Sequence, residues 1–149
     1  QTCALPISAM KIMIIDGQGG RMGSLLTEKT KNAAIPGAQI YAIGTNSIAT
    51  AAMLKAGADY GATGENPVLV NSRDADYIIG PLGIMAADSL LGEVTPAMAV
   101  AVGQSSAMKI LLPVNKCNHH VVGVSSEYSM SELAEQAVRY LLDCIAGKA

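Results

Sequence analysis

The chain has 149 residues, of which 50% are hydrophobic and 15% are charged, and its formal net charge at pH 7 is -2. This length suffices for one domain with a modest core but not for two full domains. The Lys and Arg residues form no cluster, Trp and Phe are absent, and the five tyrosines are scattered. We therefore expect no nucleic-acid partner, because such binding needs a basic face or stacking aromatic residues. We also expect no membrane partner, because no apolar stretch is long enough to span a bilayer.

The cysteines and the first residues bear on the cellular compartment. Cys3, Cys117 and Cys144 are odd in number and irregularly spaced, which argues against a disulfide framework and favours a reducing, cytoplasmic location. The opening QTCALPI lacks the basic and long apolar regions of a signal peptide, and it resembles the translation of a common sequencing adapter. We expect residues 1–9 to be a non-native or disordered leader and residues 10–149 to form a single domain.

The first half of the chain alternates between strand-like and helix-like patterns. Short apolar runs bounded by Gly, Asn or Asp predict strands, and apolar residues three or four apart predict helices. Cap residues and prolines mark where helices begin. The predicted elements are a strand at 11–15, a helix at 21–31, a strand at 38–46, a helix at 48–56 capped by Asn46 or Ser47, a short strand within 58–64, and a helix from Asn66-Pro67 to about Ser72.

The second half continues the alternation. The predicted elements are a strand at 75–81, two helices within 82–102 separated at Thr95-Pro96, a strand at 108–115, a sixth strand at 119–124, and an amphipathic helix at 131–145 capped by Ser129 or Ser131. Strands that are apolar on both faces and alternate with helices are typical of parallel sheets covered on both sides. The pattern predicts a three-layer, Rossmann-like, doubly wound α/β fold with a mainly parallel sheet of five to six strands. Ligands bind such sheets at the carboxyl ends of the strands.

A glycine-rich segment, DGQGGRMG, follows the first predicted strand and opens the first helix. Glycines let the backbone approach a phosphate, and the following helix offers unpaired N–H groups and the positive end of its dipole. The alternative is a packing turn that binds nothing. The candidate cofactor-binding residues in this segment are Gly17, Gln18, Gly19, Gly20, Arg21, Met22 and Gly23.

The end of the second strand bears on cofactor identity. NAD sites usually have Asp or Glu there to bind the ribose hydroxyls, whereas this chain has Gly44, Thr45 and Asn46. Thr45 and Asn46 can contact a ribose or a phosphate, and no nearby Arg marks a 2′-phosphate. NAD or NADP is a possible cofactor on this pattern, with no preference between them.

Three further residues are candidates for catalysis. Asp16 ends the first strand and Glu65 follows the third, so either carboxylate can act as an acid or base. Cys117 can act as a nucleophile if Lys116 or a histidine stabilises its thiolate. The alternatives are a turn carboxylate for Asp16, a loop beside a helix cap for Glu65 and a polar loop for Cys117. No second cluster accompanies Cys117 and the two histidines, so we expect no metal site.

The ends of the fourth and fifth strands complete the candidate site. GPLG ends the fourth strand, and its two glycines and proline are compatible with close backbone approach to a ligand or with a simple strand stop. PVNKCNHH ends the fifth strand and offers Lys116 to a phosphate. The candidate cofactor-binding residues here are Gly80, Pro81, Gly83, Asn115 and Lys116.

Two family resemblances follow from these motifs. GGRMG resembles the cofactor loop of dihydrodipicolinate reductase, and this likeness implies cofactor contacts for Gly17, Gly20, Gly23 and Arg21. That family's His-His-x-His segment and substrate domain are missing here. From Met10 onward, IDGQGG, GTNSIATAAMLKAGA, GATGEN, IIGPLGI and KILLPVN-C resemble a small bacterial family, the domain of unknown function DUF3842. This resemblance implies a compact Rossmann-like domain and no particular activity.

Three hypotheses about function remain open at this level. The first is a small protein that binds a nucleotide or an NAD(P)-like dinucleotide. The second is a non-catalytic sensor or interaction module that forms a homo-oligomer, with the apolar segment 82–102 as a homodimer contact. The third is a small transferase or hydrolase that uses Asp16, Glu65 and Cys117.

Overall fold

A computed structural model describes residues 9–114, 118–125 and 127–149. The strands are β1 (Met10–Asp16), β2 (Ala38–Gly44), β3 (Tyr60–Thr63), β4 (Tyr77–Pro81) and β5 (Met108–Leu112). The α-helices are α1 (Arg21–Asn32), α2 (Ser47–Lys55), α3 (Glu65–Ser72), α4 (Pro96–Gln104) and α5 (Met130–Ile145), with a short 3-10 helix at Leu82–Met85. No helix of the described residues is both long and apolar enough to cross a membrane.

The five strands form one parallel sheet in the order β3-β2-β1-β4-β5. β1 is the central strand, with Ile14 beside Ala42 of β2 on one side and beside Ile79 of β4 on the other. The chain therefore winds outward in both directions from β1, and the order reverses between β1 and β4. In open α/β sheets, the crevice at this reversal is where ligands bind.

Two hydrophobic cores cover the two faces of the sheet. Ile12 and Ile14 lie in the core formed with α1, α2 and α5, whereas Met13 and Ile15 lie in the core formed with α3 and α4. Alternate residues of a strand point to opposite faces, and all four side chains are buried. The predicted three-layer, doubly wound α/β fold is confirmed.

The predicted helix caps are largely confirmed. Asn46 caps α2 by accepting a hydrogen bond from the N–H of Ala49, and Thr95 caps α4 at Pro96. Ser129 and Glu132 form a capping box at the start of α5. Such side-chain oxygens satisfy N–H groups that have no partner within the helix.

One predicted strand is wrong, and the start of one predicted helix is shifted. His119–Val124 forms no strand, because the backbone turns at Gly123, with a φ of +85°, and leaves Val122 87% exposed. The helix predicted from Asn66 to about Ser72 is confirmed as α3, but it begins at Glu65, and its N-cap is Gly64, at a φ of +103°, instead of Asn66. The sheet of the described residues therefore has five strands.

The first of the two helices predicted within 82–102 is also wrong. After the 3-10 helix, the connecting segment, residues 86–95, runs as turns up to α4. Its residues Asp88, Leu90 and Leu91 all have a left-handed backbone, with φ between 55° and 66°. A continuous right-handed helix cannot contain them. Leu90 and Val94 are nevertheless buried, so the apolar pattern here reflects a packed loop.

Candidate functional site

The glycine turn, residues 17–20, lies at the carboxyl end of β1 where the strand order reverses. Gln18 and Gly20 both have a left-handed backbone, with φ of 48° and 73°. The N–H of Gly20 donates to the carbonyl oxygen of Gly17 at 3.0 Å and closes the turn. The turn thus delivers the chain directly into α1 at the expected ligand-binding edge.

The buried carboxylate of Asp16, at the end of β1, anchors the glycine turn to α1. Its side chain is 3% exposed, and its Oδ1 and Oδ2 accept the N–H groups of Gly17 at 2.8 Å and Gly23 at 2.6 Å. Burial raises the pKa of Asp16, the nearby charge of Glu93 adds to this effect, and the two backbone hydrogen bonds oppose it. Both oxygens are therefore engaged by the protein itself, and a catalytic role for Asp16 stays a prediction.

Glu93, which no sequence motif marks, holds the glycine turn from the connecting segment. Its Oε1 accepts three hydrogen bonds, from the N–H of Gln18 at 3.0 Å, Thr45 Oγ1 at 2.7 Å and Asn46 Nδ2 at 2.6 Å. Partial burial acts to raise the pKa of Glu93, but these three donors together hold it below its ordinary value. The carboxylate is therefore ionised at neutral pH and joins the connecting segment to the glycine turn and to the two residues that follow β2.

Four of the glycines at this edge are explained by protein packing. A Cβ on Gly20 would lie 2.8 Å from the Cα of Ala49, and one on Gly17 would lie 2.9 Å from Leu90 Cδ1. A Cβ on Gly23 would come within 2.5 Å of the Met53 sulfur, and one on Gly80 within 2.5 Å of a backbone oxygen of β1. Backbone atoms therefore exclude a side chain at Gly20 and Gly80, and neighbouring side chains crowd Gly17 and Gly23, whether or not a ligand binds.

Gly19 differs from its neighbours. A Cβ at this position would meet nothing within 4 Å, and its φ lies outside the left-handed region. Packing therefore does not require a glycine here, and the space above it is open. In the described part of the chain, the N–H groups of Gly19, Arg21 and Met22 donate no hydrogen bond. Three backbone donors thus remain available at the N-terminus of α1.

The structure does not bring Glu65, a candidate catalytic residue, next to the glycine turn. Glu65 is exposed in the first turn of α3, and β3 and β1 are separated by β2. The backbones of Asp16 and of the end of β3 are thus two strand spacings, about 10 Å, apart.

The candidates at the ends of β4 and β5 differ in what the structure describes. Gly80, Pro81 and Gly83 are buried at the end of β4, beside β1. Asn115, Lys116 and Cys117 lie outside the described residues, which contain no cluster of His, Cys, Asp and Glu suited to a metal ion.

The sequence of this chain matches one protein family. The model of the domain of unknown function DUF3842 matches residues 11–146. The chain belongs to the DUF3842 family. No curated protein matches it. A similar solved structure is a dodecameric FMN-dependent UbiX-like decarboxylase from Escherichia coli O157:H7, at 13% identity, with 92% of this chain and 94% of that chain covered and a TM-score of 0.43.

The DUF3842 domain also has a cavity of about 560 Å³ at the opposite edge of the sheet. The cavity lies at the amino ends of β1, β4 and β5, and its lining includes Met10, Tyr77, Met108, Tyr140 and Cys144. It is thus separated from the glycine turn by the length of the strands. The free backbone donors and the cluster around Glu93 belong to the carboxyl edge alone.

Proposed function

We propose that this DUF3842 protein binds a phosphate-bearing nucleotide at the carboxyl edge of its sheet. The phosphate contacts the N–H groups of Gly19, Arg21 and Met22 at the start of α1. The observation that carries the proposal is that these three donors are unpaired in the described part of the chain, at the edge where ligands bind open α/β sheets.

The physical fit to a phosphate has two parts. The 12-residue helix α1 has a glycine N-cap and no acidic residue in its first turn. The carboxylate of Asp16 accepts the N–H of Gly23 but leaves those of Arg21 and Met22 to an anion, which the helix dipole favours there. The side chain of Arg21 is exposed beside these donors and adds a formal positive charge. Asp16 and Glu93 hold the neighbouring backbone N–H groups of the turn and of α1. The three unpaired N–H groups are therefore already in position for a ligand.

The proposal concerns binding, and NAD, NADP, ATP and FMN are the ligands to test. A reaction would need a further group next to the turn. Glu65 lies two strands away, on the far side of β2. Transferase or hydrolase chemistry by Asp16, Glu65 and Cys117 is therefore the weaker proposal.

The test is a pair of substitutions at Gly19. Both Gly19→Ala and Gly19→Asp fit the open space, so both variants should fold, and circular dichroism checks this. Native mass spectrometry and titration calorimetry with NADH, NADPH, ATP and FMN should show binding to the natural protein and to Gly19→Ala. Gly19→Asp places a negative charge against the phosphate and should weaken binding tenfold or more, about 1.4 kcal/mol. A natural protein that binds none of the four, or a Gly19→Asp variant that binds normally, would contradict the proposal.

We further propose that the protein forms a homo-oligomer through the exposed part of the segment 82–102. Much of that segment is buried in the monomer, including Ile84, Leu90 and Val102. Met85, Leu91 and Val100, in contrast, are 38%, 97% and 53% exposed, so the segment offers several apolar side chains to a partner chain. Light scattering on the purified protein tests the oligomer directly, and an interaction module without a ligand would show the oligomer alone.

A further inference from the structure

We infer that Glu93 binds the 2′,3′-diol of a nucleotide ribose, so that the site selects ribonucleotides with a free 2′-hydroxyl. The inference rests on the nucleotide binding proposed above, because it assigns the ribose end of the same site. It adds a ligand class and a specificity-determining residue to that proposal.

The first support is the unequal use of the two carboxylate oxygens of Glu93. Oε1 accepts all three hydrogen bonds, from Gln18, Thr45 and Asn46. Oε2 accepts none from the described residues, and the side chain is only half-buried. Three donors therefore orient the carboxylate while one oxygen remains open to a ligand.

The second support is the position of Glu93. In dinucleotide-binding α/β folds, the acidic residue that holds the ribose hydroxyls comes from the end of the second strand. β2 of this chain ends at Gly44 and continues into Thr45 and Asn46, with no carboxylate. Glu93 reaches these two residues from the connecting segment, across the carboxyl edge. Glu93, which follows Asn46 by 47 positions in the chain, thus places a carboxylate next to the end of β2.

The third support is the spacing between phosphate and ribose. The same Oε1 that contacts β2 also accepts the N–H of Gln18 in the glycine turn, next to the free N–H of Gly19. In a nucleotide, the ribose follows directly on the phosphate. A phosphate at Gly19 therefore puts the ribose hydroxyls within reach of Glu93.

The charge of Glu93 sets the specificity. It forms no ion pair with any described Lys or Arg, and its hydrogen bonds favour the ionised form. An ionised carboxylate accepts hydrogen bonds from two hydroxyl groups and repels a 2′-phosphate. The site should therefore prefer ADP to 2′,3′-dideoxy-ADP, and NADH to NADPH.

The experiment measures two affinity ratios by titration calorimetry. For the natural protein, ADP should bind about ten- to a hundredfold more tightly than 2′,3′-dideoxy-ADP, as expected for hydrogen bonds to a charged group, and NADH more tightly than NADPH. Glu93→Gln keeps the shape of the side chain but removes the charge, so both ratios should fall severalfold. Asp88→Asn is the matched control, because Asp88 is an exposed carboxylate in the same connecting segment and the variant should keep both ratios.

The outcomes separate this inference from the proposed function. If the natural protein binds ADP and the dideoxy analogue equally, or if Glu93→Gln keeps both ratios, the inference fails while phosphate binding stands. If the natural protein binds FMN but no ribonucleotide, the inference also fails while phosphate binding stands. If none of these ligands binds, both proposals fail. The ratio in the natural protein needs no variant, so a Glu93→Gln variant that does not fold still leaves a decisive measurement.

Discussion

Asp16 and Gly23 join β1 to α1 across the glycine turn: the Oδ2 of Asp16 accepts the N–H of Gly23 at 2.6 Å. Gly23 has no Cβ, and this lets the first turn of α1 approach Asp16, whose Cβ would otherwise lie 2.8 Å from a Cβ on residue 23. The buried carboxylate therefore serves as a cap for a helix whose N-cap residue, Gly20, has no side chain.

The first prediction concerns this carboxylate. Asp16→Ala leaves the N–H groups of Gly17 and Gly23 without their partner in a buried place, and each unsatisfied donor costs about 1–3 kcal/mol. For the two donors together we expect a loss of about 2–6 kcal/mol in the free energy of unfolding. Asp16→Asn keeps one acceptor oxygen and should lose about half as much. Urea unfolding followed by circular dichroism measures both, and an unchanged midpoint for Asp16→Ala would show that the two hydrogen bonds do not hold the turn.

The fold was largely predictable from the sequence because its signals are local. Buried parallel strands appear as short apolar runs such as Lys11–Ile15, and Asn46, Thr95 and Ser129 mark the helix starts by their own hydrogen-bonding chemistry. The connecting segment carries apolar residues too, but their burial follows from a turn with left-handed residues. Hydrophobicity alone does not distinguish that conformation from a helix.

The candidate site was only half predictable. The glycine segment follows from its own sequence, whereas Glu93 lies 75 residues after Gln18 and carries no motif. Only the sheet order, which puts β4 beside β1, brings the connecting segment over the glycine turn. Sequence patterns also did not distinguish glycines needed for packing, such as Gly20, from Gly19, which packing leaves open.

The second prediction separates these two glycines. Gly20→Ala introduces a Cβ 2.8 Å from the Cα of Ala49 at a residue whose φ is +73°. The left-handed conformation alone costs about 1–2 kcal/mol for a residue with a Cβ, so the total loss should exceed that range. Gly19→Ala should change the free energy of unfolding by less than about 0.5 kcal/mol. Chemical denaturation of both variants gives the comparison, and equal losses would refute the distinct roles of the two positions.

The third prediction concerns the pair Asn46 and Glu93. Asn46→Asp keeps an N-cap for α2, since Asp caps helices as well as Asn does. The substitution removes the Nδ2 donor of Asn46, which lies 2.6 Å from Glu93 Oε1, and puts a second negative charge in its place. We expect a loss of about 1–3 kcal/mol in the free energy of unfolding.

A double-mutant cycle isolates the contact in this third prediction. In the Glu93→Gln background the repulsion is absent, so Asn46→Asp should cost clearly less there than in the natural protein. The difference between the two costs is the interaction energy of the pair. Additive effects of the two substitutions would mean that the pair contributes nothing beyond the helix cap.

The fourth prediction is a pH dependence at Asp59. Partial burial acts to raise the pKa of Asp59, but the N–H of Ile40, at 2.8 Å, and the ammonium of Lys31, at 3.0 Å, together lower it. A folded-state pKa below the unfolded value means that the ionised group adds stability above the unfolded pKa, and this contribution is lost as the pH falls through the folded pKa.

Asp59→Asn should therefore destabilise the protein at neutral pH, and the gap to the natural protein should narrow as the pH falls below about 4. Glu135→Gln is the control, because the exposed pair of Glu135 and Arg139 should contribute less than about 1 kcal/mol. Urea unfolding between neutral pH and pH 3 measures the gap. A gap that widens toward acid would contradict the lowered pKa of Asp59.

The fifth prediction concerns Leu91, which combines 97% exposure with a left-handed φ of 57°. Asn tolerates this conformation better than Leu, so Leu91→Asn should raise the free energy of unfolding of the monomer by up to about 1 kcal/mol. If Leu91 lies in a homo-oligomer contact, the same substitution should lower the mass seen by light scattering to that of one chain. Ile48→Asn, at a position 68% exposed on α2, is the control outside the segment and should keep the oligomer. A Leu91→Asn variant that keeps the oligomer would place the contact elsewhere, while its stability would still report the backbone strain at this residue.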